Sequence, residues 1–111
     1  MSKNMRYRWD LPTARGLTLN DLRNHTGEHF WAFKSIYTPK AYTVIFDIQI
    51  IKVYQKTIEV YARKCGLDNQ LYDVEVIKAW KKIRGLRYDD QIGWEYFDKI
   101  IKKENLILPS K

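Results

Sequence analysis

The segment at 38–66, "TPKAYTVIFDIQIIKVYQKTIEVYARKCG", constrains the fold more than any other part of the chain. It is long enough for one helix, with Thr38 as N-cap, Pro39 at the first helical position and Gly66 as the C-terminal stop. On a helical wheel, however, Lys40, Thr43 and Asp47 fall on one side, whereas Lys52, Lys56, Glu59 and Arg63 fall on the opposite one. One helix cannot bury both of the apolar faces this implies against a single core. Residues 42–49 instead alternate. Tyr42, Val44, Phe46 and Ile48 are apolar against Thr43, Asp47 and Gln49, with Ile45 the exception, and the types are β-branched and aromatic. The pattern predicts a strand at 42–49 and a helix from about 50 to 65. The alternative is an all-α fold with a long central helix at 39–65.

The same reasoning organises the rest. "NMRYRWD" sets Met5, Tyr7 and Trp9 against Arg6 and Arg8, a short strand with one basic face. "HFWAFKSIY" at 29–37 is aromatic and β-prone, and "TPK" after it reads as a hairpin turn, giving a three-stranded antiparallel sheet. Between the first two strands, Thr18 caps one or two helical turns that carry Leu19 and Leu22 inward. Beyond Gly66, Asp68 caps and Gly85 stops "NQLYDVEVIKAWKKIR", whose Val76, Ala79, Trp80 and Ile83 share a helical face. Asp89 or Asp90 caps "QIGWEYFDKIIKKE", with Trp94, Phe97, Ile100 and Ile101 on one face and the spaced pairs Glu95 with Lys99 and Asp98 with Lys102. The closing "LILP" adds an edge strand or packs as a tail. The expected fold is α+β: a small, about three-stranded antiparallel sheet (about 4–49) followed by three helices (about 50–104). It forms one domain at 1–111, because 111 residues with 45% hydrophobic content supply one core and not two.

Twenty Lys and Arg against 13 Asp and Glu leave a net charge of +7, a surface that attracts polyanions. The lone Cys65 cannot form an internal disulfide and is expected to point into the core, which fits a reducing, cytoplasmic setting. The start "MSKNMRYRWDLP" is charged with no apolar run behind it, and no stretch has the roughly 18 uninterrupted apolar residues of a membrane span, so no membrane partner is expected.

"NHTGEHF" holds both histidines of the chain, His25 and His29, in His-x-x-Glu-His spacing. On a helix two imidazoles four apart share a face, and the glutamate can hold a water beside a metal. The motif resembles the inverted zinc-binding signature of the insulin-degrading-enzyme family, with Glu104 at about the distance of that family's third ligand, and "HTGEHF" is similar to the His-Thr-x-Glu-His of S-ribosylhomocysteinases. The resemblance implies zinc-dependent hydrolysis with His25 and His29 as ligands. The residues themselves point elsewhere. A strand starting at 29 takes the histidines off a common face, and Gly27 weakens any helix there by about 1 kcal/mol relative to alanine. Neither a metal nor a cofactor is expected.

"KAWKKIRGLR" places Lys78, Lys81, Lys82, Arg84 and Arg87 within ten residues that hold no acid. On a helix the three lysines form a ridge away from Ala79, Trp80 and Ile83, and the arginines lead into the next turn, an arrangement suited to phosphates. The plain alternative is a solvated lysine face favoured by the helix dipole. Tyr72, Val76, Ile77 and Trp80 in "YDVEVIKAW" are similar to the Tyr-x3-Ile-x3-Trp signature of the DnaD-type domain of replication initiators, and that resemblance implies DNA binding. Arg6 and Arg8, with Arg15 and Arg23 near them in sequence, extend the ridge if the fold joins them. A helix-turn-helix at 17–37 has its glycine, but Arg23 and Glu28 occupy its small and apolar positions.

Three functions follow as expectations. The first is a nucleic-acid-binding or nucleic-acid-associated protein that contacts phosphates through the ridge. The second is a protein-interaction module or inhibitor, of the compact kind phages and mobile elements encode, anchored by its tyrosines and tryptophans. The third is a small hydrolase or ribonuclease using His25 and His29. Binding is expected over catalysis, and the partner is DNA or RNA, an acidic protein, or a second copy of the chain.

Overall fold

The computed structural model of the chain describes residues 14–37, 39, 42–67, 70–71 and 80–106. They form strands β1 (His29–Ile36), β2 (Tyr42–Val53), β3 (Thr57–Leu67), β4 (Gln70–Leu71), β5 (Lys81–Asp89), β6 (Gly93–Trp94) and β7 (Lys99–Lys102), with one short helix α1 (Leu19–Leu22) and a 3-10 turn at Lys103–Asn105. All pairings are antiparallel, in the order β6-β5-β3-β2-β1-β7, with β4 beside β3.

The two ends of this path are tied together. Only residues 95–98 separate β6 from β7, and a chain extends at most about 3.6 Å per residue, so the first and last strands cannot move far apart. Leu17 bridges them: its amide donates to the Ile100 carbonyl at 2.8 Å, and its own carbonyl accepts from Trp94 Nε1 at 3.0 Å. The sheet is therefore curved into a nearly closed barrel. Its concave side holds the main core, with Phe30, Ala32, Val44, Phe46, Ile48, Ile50, Ile58, Val60, Leu86, Trp94, Phe97 and Ile100 buried, and α1 closes it with Leu19 and Leu22. Each such aliphatic or aromatic side chain contributes about 1.5–3 kcal/mol on full burial. A second, smaller cluster of Phe33, Ile45, Cys65 and Ile101 lies on the convex side, covered by Trp31, Leu106 and Ala14.

The α+β expectation, with three helices after a three-stranded sheet, is overturned, and so is the all-α alternative: the described chain is predominantly β. The strands at 29–36 and 42–49 and the capped turn at Thr18 are present, the last with a full capping box between Thr18 and Asp21. The helix expected at 50–65 is instead the end of β2, a tight turn and β3, in which Ile58, Val60 and Ala62 alternate inward. That turn, Tyr54-Gln55-Lys56, has no glycine, proline, asparagine or aspartate, so nothing in its local chemistry breaks a helical reading. Arg23 anchors it from 31 residues away, donating to the carbonyls of Tyr54 at 3.1 Å and Gln55 at 3.0 Å.

The helix expected from 69 to 84 fails at both of its described ends, which are strands β4 and β5; the residues between, 72–79, lie outside the described residues. Gly85, at φ +67°, does not stop a helix but sits in a β-bulge where Arg84 and Gly85 oppose Glu59. The bulge makes the inward residues Ile83 and Leu86 three apart, a helical interval produced by a strand. In the last expected helix, Ile100 and Ile101 are both buried because β7 has a core on each face. Asp98 does not pair with Lys102 there; its carboxylate accepts from the Ser35 amide at 2.6 Å. The helix-turn-helix reading fails as well, since β1 replaces its second helix. The strand expected around Met5–Trp9 falls outside the described residues. No helix among the described residues is long and apolar enough to cross a membrane.

Candidate functional site

The cationic ridge lies on a strand, so alternation rather than helical spacing sorts it. Lys81 pairs with Ala62 and Ile83 with Val60, whereas Lys82 pairs with Tyr61 on the convex face. Lys82 lies 5.7 Å from the Tyr61 ring centroid, and both Lys82 and Arg84 reach the Glu59 carboxylate at 3.5 Å. Arg87 parts from this group, opposite Thr57, and lines a separate cleft with Arg23, Lys56 and Asp89. Lys78, Arg6 and Arg8 lie outside the described residues.

Among the described residues, the order of the sheet leaves an opening along β5. β5 pairs with β3 along one edge, but on its other edge β6 reaches only Tyr88 and Asp89. At 81–86 that second edge has no strand partner among the described residues. A cleft of about 640 Å³ opens beside it, and Tyr96, from the segment linking β6 to β7, forms part of its wall. The floor is apolar, made by Phe46, Ala62 and Ile83, and four cations line it: Arg63, Lys64, Lys81 and Lys82. No carboxylate is among the described lining residues. Lys34 stands beside it, its ammonium 4.1 Å from the Tyr96 ring centroid and 3.3 Å from the Tyr96 carbonyl. Phe46, Tyr96 and Phe97 meet edge to face, which holds the tyrosine ring in place.

Arg63 and Lys64 were not singled out in the sequence. As adjacent residues in a strand, they point to opposite sides of the sheet. Arg63 pairs with Asp47 across β2 and stacks on Trp80 at 4.7 Å, and its Nε is buried with no hydrogen-bond partner among the described residues. The exposed aromatics follow this theme. Tyr61, Trp80, Tyr54 and Tyr96 each lie within cation–π reach of a cation: Lys82, Arg63, Lys52 and Lys34 respectively. Tyr42 and Tyr88 instead pack partly buried against the main core.

The histidines have a different setting. Gly27 adopts φ +90° and its amide donates to the Ile50 carbonyl at 2.7 Å, so the loop before β1 continues the ladder with β2. His25 and His29 line a common cleft of about 350 Å³, but each ring faces its own carboxylate. His25 Nδ1 is 2.9 Å from Glu28, and His29 Nδ1 is 2.9 Å from Asp47. Asp47 also meets Lys103 at 3.3 Å, and Lys103 caps the Trp31 ring at 3.5 Å. Glu104 lines the same cleft, yet no group of three or more His, Cys, Asp and Glu among the described residues is arranged to hold a metal ion. Cys65 lies in the convex cluster, where burial pushes its thiol up to about 11, so it stays protonated and unreactive at neutral pH.

Comparison with known protein families, with curated proteins and with solved structures gives no match.

Proposed function

We propose that the chain binds nucleic acid, with Lys64, Lys81, Lys82 and Arg63 meeting phosphates at the open edge of the barrel. The observation that carries this reading is a cleft in which Lys64 and Lys81 flank an apolar floor, with Arg63 and Lys82 at its rim from the convex side of the same strands and no carboxylate in its described lining. Charge of one sign in a concave, low-dielectric setting focuses the field and attracts a polyanion. The pairing of exposed aromatics with cations supports it further. Stacking rings beside phosphate-binding groups are what an oligonucleotide needs. The phosphate-binding element is thus a strand edge rather than the helix ridge expected from sequence.

Fluorescence anisotropy with a short oligonucleotide, in DNA and RNA form, tests the reading through its salt dependence. Log affinity should fall linearly with log salt, and the slope should shrink by roughly 0.7–0.9 for each phosphate contact removed. Reversing Lys64 and Lys81 to glutamate should abolish binding at moderate salt while leaving the melting temperature close to that of the wild type, because both side chains are exposed; Lys82 is left in place because it meets Glu59. Absence of binding at low salt, where a +7 chain attracts any polyanion most strongly, overturns the proposal. In that case the protein-interaction reading takes precedence, favoured by Tyr37 and Ile92, which are 64% and 84% exposed and line neither side of the cationic cleft.

A further inference from the structure

We infer that the cleft beside β5 takes an unpaired base, so that the protein selects single strands over duplex; the inference rests on the nucleic-acid reading above. Phosphate contacts alone need only a charged surface. This cleft has more: about 640 Å³ of space and an apolar floor formed by Phe46, Ala62 and Ile83. That volume falls in the range of small-ligand sites, roughly 300–1,000 Å³. In a duplex the bases are paired and stacked, with their edges open to the grooves but their faces covered, which leaves such a floor unused. An unpaired nucleotide can put its base into the cleft and keep its phosphate at the rim.

The geometry fits that division. Tyr96, 41% exposed, offers its ring in the wall and is held by edge-to-face contacts with Phe46 and Phe97. Lys81, opposite Ala62, and Lys64, two residues farther along β3, flank the floor from two neighbouring strands. The backbone of a bound strand can then continue over Lys82 to the convex face, where Tyr61 sits next to Lys82 and Trp80 next to Arg63. Tyr61 and Trp80, both more than a third exposed, are the stacking positions for the bases that follow. Aromatic platforms along a cationic track are the means by which proteins hold single strands with little sequence preference.

The test uses the full chain and four fluorescent probes at low salt: a decathymidylate, a decamer of abasic sites with the same phosphates, a ten-base-pair duplex and a decaglutamate peptide. Stacking is worth roughly 1–3 kcal/mol per base, so the decathymidylate should bind about tenfold or more tighter than the abasic strand. Tyr96→Ala should bring it down close to the abasic level. Tyr96→Leu retains apolar packing on Phe46 and Phe97 and gives the same answer where alanine loosens the fold. Lys64→Glu with Lys81→Glu should weaken both strands alike. Equal affinity for decathymidylate, abasic strand and duplex, untouched by either Tyr96 variant, overturns this inference and leaves nucleic-acid binding standing. No binding of any oligonucleotide overturns both, and so does decaglutamate binding as tightly as the decathymidylate, which assigns the cleft to an acidic protein.

Discussion

Two of the clefts on this molecule hold charge in opposite ways. In the histidine cleft, Arg15, Lys102 and Lys103 stand among Asp21, Glu28 and Glu104, and the contacts are closed: His25 to Glu28, His29 and Lys103 to Asp47, Arg15 to Asp21. In the cleft beside β5, Arg63, Lys64, Lys81 and Lys82 have no acid in the described lining, and among the described residues Lys82 alone of the four reaches one outside it, Glu59. The first cleft contains the residues that look like chemistry in a sequence, and there His25 and Glu28 close the loop at 23–28 on itself while Asp47 holds His29 and the 3-10 turn. The second is lined by lysines of the kind that usually only solvate a surface, and among the described residues Lys64 and Lys81 there meet no carboxylate. The lesson is that the partner of a charged group, rather than its residue type, decides whether it remains available for a ligand.

Removing a shared carboxylate from the first cleft's surroundings should have the largest effect on stability. Asp47 is 14% exposed and serves both His29 and Lys103, whose side chains are about a third or more exposed, so Asp47→Ala should cost about 1–2 kcal/mol by urea unfolding and should leave the salt slope of oligonucleotide binding unchanged, even where the release of His29 from its place against Trp80 lowers affinity slightly. A loss of binding together with that loss of stability would join the two clefts into one site and break the contrast. Glu59→Gln probes the opposite case. It releases Lys82 and Arg84 from their common carboxylate and should tighten oligonucleotide binding by up to about fivefold, with a steeper salt slope. Unchanged affinity would mean that neither cation contacts the ligand.

Acid titration gives a smaller effect. The Thr18 amide, and then Arg15, hold the Asp21 carboxyl below its ordinary 3.8. A depressed folded value means that this contribution is complete above about 3.8 and disappears as pH falls through the folded-state value. Asp21→Asn should therefore lower stability at neutral pH and flatten the acid limb of the stability profile, measured by thermal melts between pH 2 and 7. The smallest effect is expected at His25, whose half-exposed pair with Glu28 is of the kind worth less than about 1 kcal/mol. His25→Ala should leave both the melting temperature and oligonucleotide binding within error, and a clear drop in binding would make the histidine cleft part of the interface.

Several features of the fold were legible because their causes are local. Thr18 and Asp21 lie three apart and cap each other whatever surrounds them, the run at 29–36 is aromatic and β-prone in composition, and 42–49 alternates. The cationic cluster at 81–87 was also legible as composition, but not as geometry. Arg63 and Lys64 gave no signal as binding residues, and Tyr96 stood out only as one of the aromatics outside the expected core, because the cleft exists only where β3, β5 and the linker at 95–98 meet in space.

What the sequence by itself determined is therefore the charge, the apolar content for one core, the cap at Thr18, the β-prone composition of one strand and the alternation of another. Tertiary structure decided the rest, for reasons visible in particular contacts. Residues 50–65 contain good helix formers and a turn without turn residues, and they become a hairpin because Arg23 holds the turn carbonyls while Ile58, Val60 and Ala62 find a core on one side. Around Gly85 a bulge turns the inward spacing from two to three, and on β7 two adjacent isoleucines are buried on opposite faces. Each of these imitates helical periodicity. A period read along the chain assumes one buried face, and a sheet that curves round one core while carrying another on its back removes that assumption.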